Sequence, residues 1–397
     1  MAKAKTKRID NFTPNSGPQH PAAYGVSYSA SEMDGELVER AEPHIGLPYR
    51  GTEKSIEYKT YLYASLHSDC LDHVPMMAYE HAHPSAVERP CNREVPLYAQ
   101  HTRVSFREIT YIPNHLFALT IYATDAGAPT PSPRAPEERE KLFEFYERVS
   151  GARMYASYVR PGGVAYDPPS GSSEDTFPST YESASRIDES EETLTNNRIW
   201  KQRLVDIGTV TAEEAPDWGS SGVTSRGPGV CRDSRKAAPH DVHDPLDPDA
   251  PVGTRGDCYD RHRIRIEETY ESPYITVQRP NKTPSGMIKA DDRKPCPPSR
   301  SEMKQSTESS IHHSKHYTEG FSVPASPPTY AAAEAPKGEF GVFPVSNGTN
   351  RPYRRRIRAL GFAHPQGSDF TSKHHMPADV VTIIGTYDTV SGEADRQ

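Results

Sequence analysis

The sequence predicts an α+β fold: a mainly helical central bundle, a small β-rich domain at the amino terminus and a carboxyl-terminal segment with short strands. Three observations lead there. Two alternating segments flank an Asp34-Gly35 turn between Val26 and Gly46, which is the strongest short-range hairpin signal in the chain. Leu142, Phe145, Tyr146 and Val149 recur at helical spacing within Glu137 to Val159, with charges on the opposite face. Glu339 to Val345 and Val380 to Thr386 read as short strands.

In chain order, the first hairpin segment, SYSASEM, carries serines where a strand facing a core needs apolar side chains. Gly46 and Gly51 free the backbone around Arg50, and Glu53 and Lys54 open a helix. Lys59 to about Ile207 is mainly helical, with Asp188 to Leu204 as a second, more polar helix. Glycines and prolines predict an irregular connection from Gly208 to Pro251. Tyr259 to Tyr317 is helical again, interrupted by PCPPS at 295 to 299. The expected division is 1–58, 59–207 and 208–397, without internal repeats.

Composition pulls the other way. Only 34% of residues are hydrophobic, there are 38 prolines, and mean hydropathy is -0.78, a profile that offsets chain entropy poorly by burial. A net charge of -8 gives no support for a nucleic-acid surface, and the run Arg354, Arg355, Arg356, Arg358 is expected to be solvated or phosphate-facing. The cysteines are widely spaced and odd in number, 5 in all, with no CxxC pair for zinc or iron-sulfur binding. No apolar run reaches the length of a membrane helix, and Lys3, Lys5, Lys7 and Arg8 make the first residues basic without a secretory signal. Dinucleotide, P-loop and hydrolase-elbow motifs are missing. His312, His313 and His316 have helical metal-ligand spacing but no carboxylate in the same turn, so they are expected to be ordinary surface histidines.

The most specific stretch is HIGLPYRGTEKSIEYKT at 44 to 60, which joins an imidazole, a guanidinium, a carboxylate and an ammonium in one short run. With TPNSGPQHPAAYG at 13 to 25, FYERVSGARMYASYVRPGG at 145 to 163, PSGMIKADDRK at 284 to 294 and EAPKGEFGVFPVSNGTNRPYR at 334 to 354, it resembles the quinone-binding 49 kDa subunit family of respiratory complex I. The likeness spans about Lys7 to Arg396.

That resemblance implies a fold like the large subunit of nickel-iron hydrogenases. Hydrogenase chemistry itself is not expected, because it needs two pairs of cysteine thiolates and Cys70 and Cys91 lack partners. It implies a quinone pocket in which the loop carrying His20 reaches the headgroup. The family's headgroup histidine falls at Tyr24 and its headgroup tyrosine at His73, while Asp125 matches the aspartate that holds the loop histidine. Arg50 matches an arginine beside the terminal iron-sulfur cluster of a neighbouring subunit, and Tyr155 stands at another family histidine. Ubiquinone is then the substrate, while the iron-sulfur cluster, FMN and NADH are held by partner subunits and nothing is bound covalently. The implied partners are the iron-sulfur subunit with the terminal cluster, a 30 kDa-type subunit and the membrane subunit forming the quinone channel. There would be no nucleic acid, and membrane contact only through partners. The implied place is the matrix side of the mitochondrial inner membrane, with the gene in the organelle. The chemistry fits the residue types, since a quinone taking two electrons becomes basic at both oxygens and needs two donors.

Departures from the family share one chemistry. Serine or proline replaces leucine or phenylalanine at Ser27, Ser29, Ser105, Pro113 and Pro136, and threonine or alanine replaces larger apolar residues at Thr102, Thr124 and Ala126. Arginine replaces tryptophan at Arg232 and cysteine at Arg263, and histidine replaces tyrosine at His240, His243 and His262. All are cytosine for uracil in one codon position. Tyr24, Tyr49, Tyr122 and Tyr155 show the reverse, and tyrosines such as Tyr79, Tyr98, Tyr111 and Tyr387 stand where a filled stop codon explains a family glutamine or arginine. We read this as an organellar gene translated before RNA editing. Composition alone supports another class, a largely disordered proline-rich interaction protein.

Overall fold

A computed structural model describes residues 12–17, 19–20, 25–26, 28–48, 50–128, 134–243, 248–292 and 294–396. At the amino terminus β1 (Asn15–Ser16), β4 (Tyr28–Asp34) and β5 (Leu37–His44) form an antiparallel sheet, and β2 (Gln19–His20) pairs with β3 (Gly25–Val26) in a second. The expected hairpin is present: Gly35, at φ 66, closes it between Asp34 and Leu37. Met33, Val38 and Ala41 form its buried face against Val380. Ser29 and Ser31 share the inward side of β4, 6% and 7% exposed, so the serines flagged in the sequence do stand at core positions.

After Gly51, in the left-handed region at φ 63, come α1 (Thr52–Glu57), α2 (Tyr61–Asp69), α3 (Met76–Cys91), α4 (Leu97–Asp125) and α5 (Arg134–Ser150). Helix α4 packs against α3 and α5. Leu142, Phe145, Tyr146 and Val149 lie in the central core, as their spacing predicts. The helix stops at Ser150, however, and not at Val159. Gly151, at φ 79, ends it, and Val159–Arg160 becomes a strand, β6, paired with β7 (Gly163–Val164). The polar helix expected from Asp188 is also divided, into α6 (Ser172–Leu194) and α7 (Arg198–Leu204), because Asn197 caps the second by accepting from the Ile199 amide at 2.9 Å.

Among the described residues the connection holds only short helices, α8 (Glu214–Asp217), α9 (Val223–Arg226) and α10 (Ser234–Ala237). Then come α11 (Cys258–Lys282), which lies along α4, and beyond the proline break α12 (Arg300–Gln305) and α13 (Thr307–Thr318). His316 is buried, its Nε2 3.0 Å from the Pro295 carbonyl oxygen, so the surface reading of the histidine run fails there. An antiparallel meander follows, β8 (Ala331–Ala335), β9 (Gly338–Val345) and β10 (Arg354–Arg358). β10 corrects the reading of the arginine run: alternation along the strand sends Arg355 inward, fully buried, where it donates to Ser68 Oγ at 2.7 Å. The chain ends with α14 (Leu360–Ala363), α15 (Ser368–Ser372), α16 (Pro377–Tyr387) and α17 (Ser391–Ala394). Val380 to Thr386 is therefore helical and not a strand. Pro377 suits a first helical turn, the Asp379 carboxylate accepts from the Met376 amide at 3.2 Å, and contact with α4 and α11 outweighs the β-propensity of the run. Among the described residues no helix is long and apolar enough to cross a membrane.

Candidate functional site

Helix α2 ends at Asp69, and the loop to α3 carries Cys70, Asp72 and His73. The His73 ring is edge-on to Phe117 of α4, with 6.1 Å between centroids, and its side chain is 34% exposed. The Arg139 guanidinium lies over Phe117 at 4.4 Å and over Phe143 at 4.7 Å. An imidazole, a phenyl face and a cation thus meet beside one another. Behind them Asp72 is buried; its Oδ1 accepts from the Val74 amide at 2.9 Å and lies 4.0 Å from His73 Nδ1. Its Oδ2 is 2.5 Å from the buried ammonium of Lys337. Burial lowers the His73 pKa; Asp72 opposes this, while Lys337 and Arg139 reinforce it.

Asp125 closes α4, half-buried, eight residues and so about 12 Å along the helix axis from Phe117. Tyr24, its expected neighbour, lies outside the described residues, as do Ser27 and Tyr49. For His20 the backbone alone is described, paired with Gly25.

A second group forms where α1, α2 and the segment after α5 approach. Tyr155 is 44% exposed and in the left-handed region at φ 56, and its amide donates to Met76 Sδ at 3.0 Å. Arg50 is exposed just before Gly51. Burial raises the Tyr155 pKa, with Cys70 and Asp72 adding to it and Arg50 opposing, so these groups share one electrostatic neighbourhood. Arg50 also helps lower the pKa of His67, which burial depresses first.

The segment holding Tyr155 is fixed from below by two buried carboxylates. Asp69 Oδ2 accepts from the Ser157 amide at 3.0 Å, and Glu80 accepts from the amides of Tyr158, at 3.0 and 3.1 Å, and Val159, at 3.0 Å. Asp69 and Glu80 are hydrogen-bonded to each other, and burial together with the Glu80 charge raises Asp69 well above the usual carboxylate range. Sequence reasoning missed Asp69, Asp72, Glu80 and Lys337. Glu80, a charge within an apolar helical run, was the clearest signal, and the partners of these residues lie far away in sequence.

Residues 125–396 match the family described as respiratory-chain NADH dehydrogenase, 49 Kd subunit. The chain is 71% identical over 392 residues to NADH dehydrogenase [ubiquinone] iron-sulfur protein 2 of Nicotiana sylvestris, covering 99% of both proteins. It is 68% identical to the protein of the same name from Arabidopsis thaliana and 60% identical to the NADH-ubiquinone oxidoreductase 49 kDa subunit of Reclinomonas americana, again covering 99% of each. The chain belongs to the 49 kDa subunit family.

As a 49 kDa subunit it is a core part of NADH:ubiquinone oxidoreductase, with other subunits of that complex as partners. Within this fold some of its side chains are poorly matched to their surroundings. Ser105 is 2% exposed and its hydroxyl has no hydrogen-bond partner among the described residues. Pro113 lies inside α4. His262 is fully buried against Trp200, and neither ring nitrogen has a partner among the described residues. The Arg107 guanidinium presses on Nε2 of both His240 and His243, whose pKa values burial and then Arg107 push well down.

Proposed function

We propose that this subunit supplies the quinone-contacting surface of the complex and helps electrons from the terminal iron-sulfur cluster of a neighbouring subunit reach ubiquinone. The observation that carries the reading is the half-exposed His73, backed by the buried Asp72 and flanked by the Phe117 face and the Arg139 cation. A flat quinone ring suits an aromatic wall, and its carbonyl suits a hydrogen-bond donor at 73. In this reading the donor at 24 faces the opposite carbonyl and Asp125 holds it, while the loop at His20 encloses the ring. Arg50 and Tyr155 belong to the second group, where an exposed guanidinium and a half-exposed phenol suit the neighbour that carries the cluster. The iron-sulfur, 30 kDa-type and quinone-channel subunits are the adjoining partners, on the matrix side of the mitochondrial inner membrane.

A second reading concerns the gene. Ser105, Pro113, His262 and the pair His240 and His243 are all positions where one cytosine-for-uracil change separates the residue present from one that suits the site. We infer that the working polypeptide is made from an edited transcript, with histidine at Tyr24 and tyrosine at His73. In the literal arrangement the imidazole stands away from Asp125 and loses the carboxylate that would stabilise its charged form.

The test is to place tyrosine at 24 and histidine at 73 in the 49 kDa subunit of a genetically tractable complex, singly and together. Quinone reduction should drop sharply in all three, while electron transfer from NADH to an artificial acceptor that bypasses the site survives. Normal quinone reduction in the double exchange would overturn the pairing of an imidazole at 24 with Asp125.

A further inference from the structure

Asp72 is the visible end of a larger buried cluster. Lys337, in the turn between β8 and β9, has its ammonium 2.5 Å from Asp72 Oδ2 and 3.7 Å from Asp388 Oδ1. Asp388 caps α16 at φ 54 and accepts from Asn114 Nδ2 of α4 at 3.0 Å. Glu393 of α17 accepts from the Gly361 amide at 3.0 Å and contacts the Tyr79 hydroxyl of α3. Asp72, Lys337, Asp388 and Glu393 are each at most 4% exposed. Asp72 and Asp388 flank the Lys337 ammonium and Glu393 acts on it through space, so three carboxyl groups share its charge and full ionisation would leave an excess of negative charge in the interior. Such a cluster retains a proton.

Resting on the reading of residue 73 as a quinone donor, we infer that Asp72, Lys337 and Glu393 form a proton relay that refills this donor after it has protonated the reduced quinone. The donor at 73, imidazole or phenol, gives one proton to a quinone oxygen; the two electrons come from NADH through the complex. The Asp72 and Lys337 pair returns a proton to residue 73, and Glu393 returns one to the pair. No bond other than those to the moving proton changes, and the proton that reloads the buried Glu393 comes ultimately from bulk water. Asp388 and Asn114 hold Lys337 in place and act as positioning residues.

The electrostatics agree with the geometry. Burial pushes Glu393 up to about 7, against the lowering effect of Lys337 and with Asp72 and Asp388 raising it further. Burial alone would lower Lys337, but Asp388, Asp72 and Glu393 hold its ammonium above the ordinary value. Arg396 is the other cation in the field of Glu393, and Tyr79 is the phenol facing it from α3. A carboxyl group poised there is loaded below neutral pH and emptied above it.

The experiment uses the assembled complex of a tractable member of the family, with substitutions at the positions matching these residues. In the parent, quinone reduction should decline as pH rises through about 7, where Glu393 empties. E393Q should lower it by roughly tenfold and remove that inflection, and E393D should retain an inflection at a shifted pH. NADH oxidation by an artificial acceptor reports assembly. Unchanged rate and inflection in E393Q would overturn the relay, and so would an equal loss at every pH with the inflection intact. If E393Q does not assemble, the infrared carbonyl band of a protonated carboxyl in the unmodified complex reads the same group: it should titrate near 7, and its absence would overturn the proposal. Replacing residue 73 with phenylalanine separates the two levels. Quinone reduction surviving that change defeats the reading of the site, and its loss beside a silent E393Q defeats the relay alone.

Discussion

The carboxylates beneath Tyr155 make an asymmetric prediction. Burial raises both carboxyl groups, but the charge of Glu80 raises Asp69 further while the backbone amides of Tyr158 and Val159 favour a charged Glu80, so the proton the pair shares is expected on Asp69. Asparagine at 69 can reproduce the protonated acid, its amide group donating to Glu80 while its oxygen accepts from the Ser157 amide. Glutamine at 80 cannot reproduce the carboxylate, because its one oxygen serves one backbone amide and its NH2 faces another donor. The loss is a charge-assisted hydrogen bond of about 1.5–3 kcal/mol plus a buried orphan N–H of about 1–3 kcal/mol, together about 2.5–6 kcal/mol; for Asp69→Asn it should stay below about 1 kcal/mol. Amide hydrogen exchange in the folded subunit reads this directly at Tyr158 and Val159. At about 1.4 kcal/mol per decade, Glu80→Gln should accelerate their exchange by at least about 60-fold and Asp69→Asn by less than about tenfold. Equal effects, or a larger one for Asp69→Asn, would refute the assignment of the proton to Asp69.

Three further outcomes are expected. His83 and His262 are lowered to about 3 and His364 to about 4, chiefly by burial, so below their unfolded value of about 6.5 the unfolded chain binds more protons and stability falls as pH falls. Denaturant titrations from pH 6 to 5 should show a loss of about 4 kcal/mol from these three together, and a flat profile would contradict their burial as neutral rings. His262→Tyr and Ser105→Leu should each raise the unfolding free energy by about 1–3 kcal/mol, because each removes an unpartnered buried polar group; a lower value in both would show that these sites are satisfied as they stand. Complementary DNA should encode leucine at Ser29 and Ser105 and tryptophan at Arg232, with in-frame stops in the gene at positions such as Tyr79 and Tyr98; an unedited transcript would remove the second reading.

Local signals carried the sequence-based account as far as local physics decides structure. The Asp34-Gly35 turn and the apolar face of α5 are properties of a few adjacent residues, and both were legible. The end of α5 was not, because Ala156 and Val159 continue the helical spacing, whereas the turn at Gly151 and, beyond it, the carboxylates of Asp69 and Glu80 from other helices take the segment off the helix. Val380 to Thr386 misled because β-branched residues buried on two sides of a helix resemble a buried strand. Arg355 reads as solvated only when its strand alternation is ignored. Within the site, His73 was found by its likeness to a family tyrosine, but Lys337 stands 265 residues from its partner Asp72, and no spacing along the chain announces that pair.

The measurement that bears most directly on the central claim is photolabelling of the assembled complex with a ubiquinone analogue whose reactive group sits on the headgroup, followed by mapping of the modified peptide. The account predicts crosslinks on the α2–α3 loop at residue 73 and on the neighbouring wall of Phe117, competed away by excess ubiquinone. Competable labelling of the 49 kDa subunit confined to segments away from these two would contradict it.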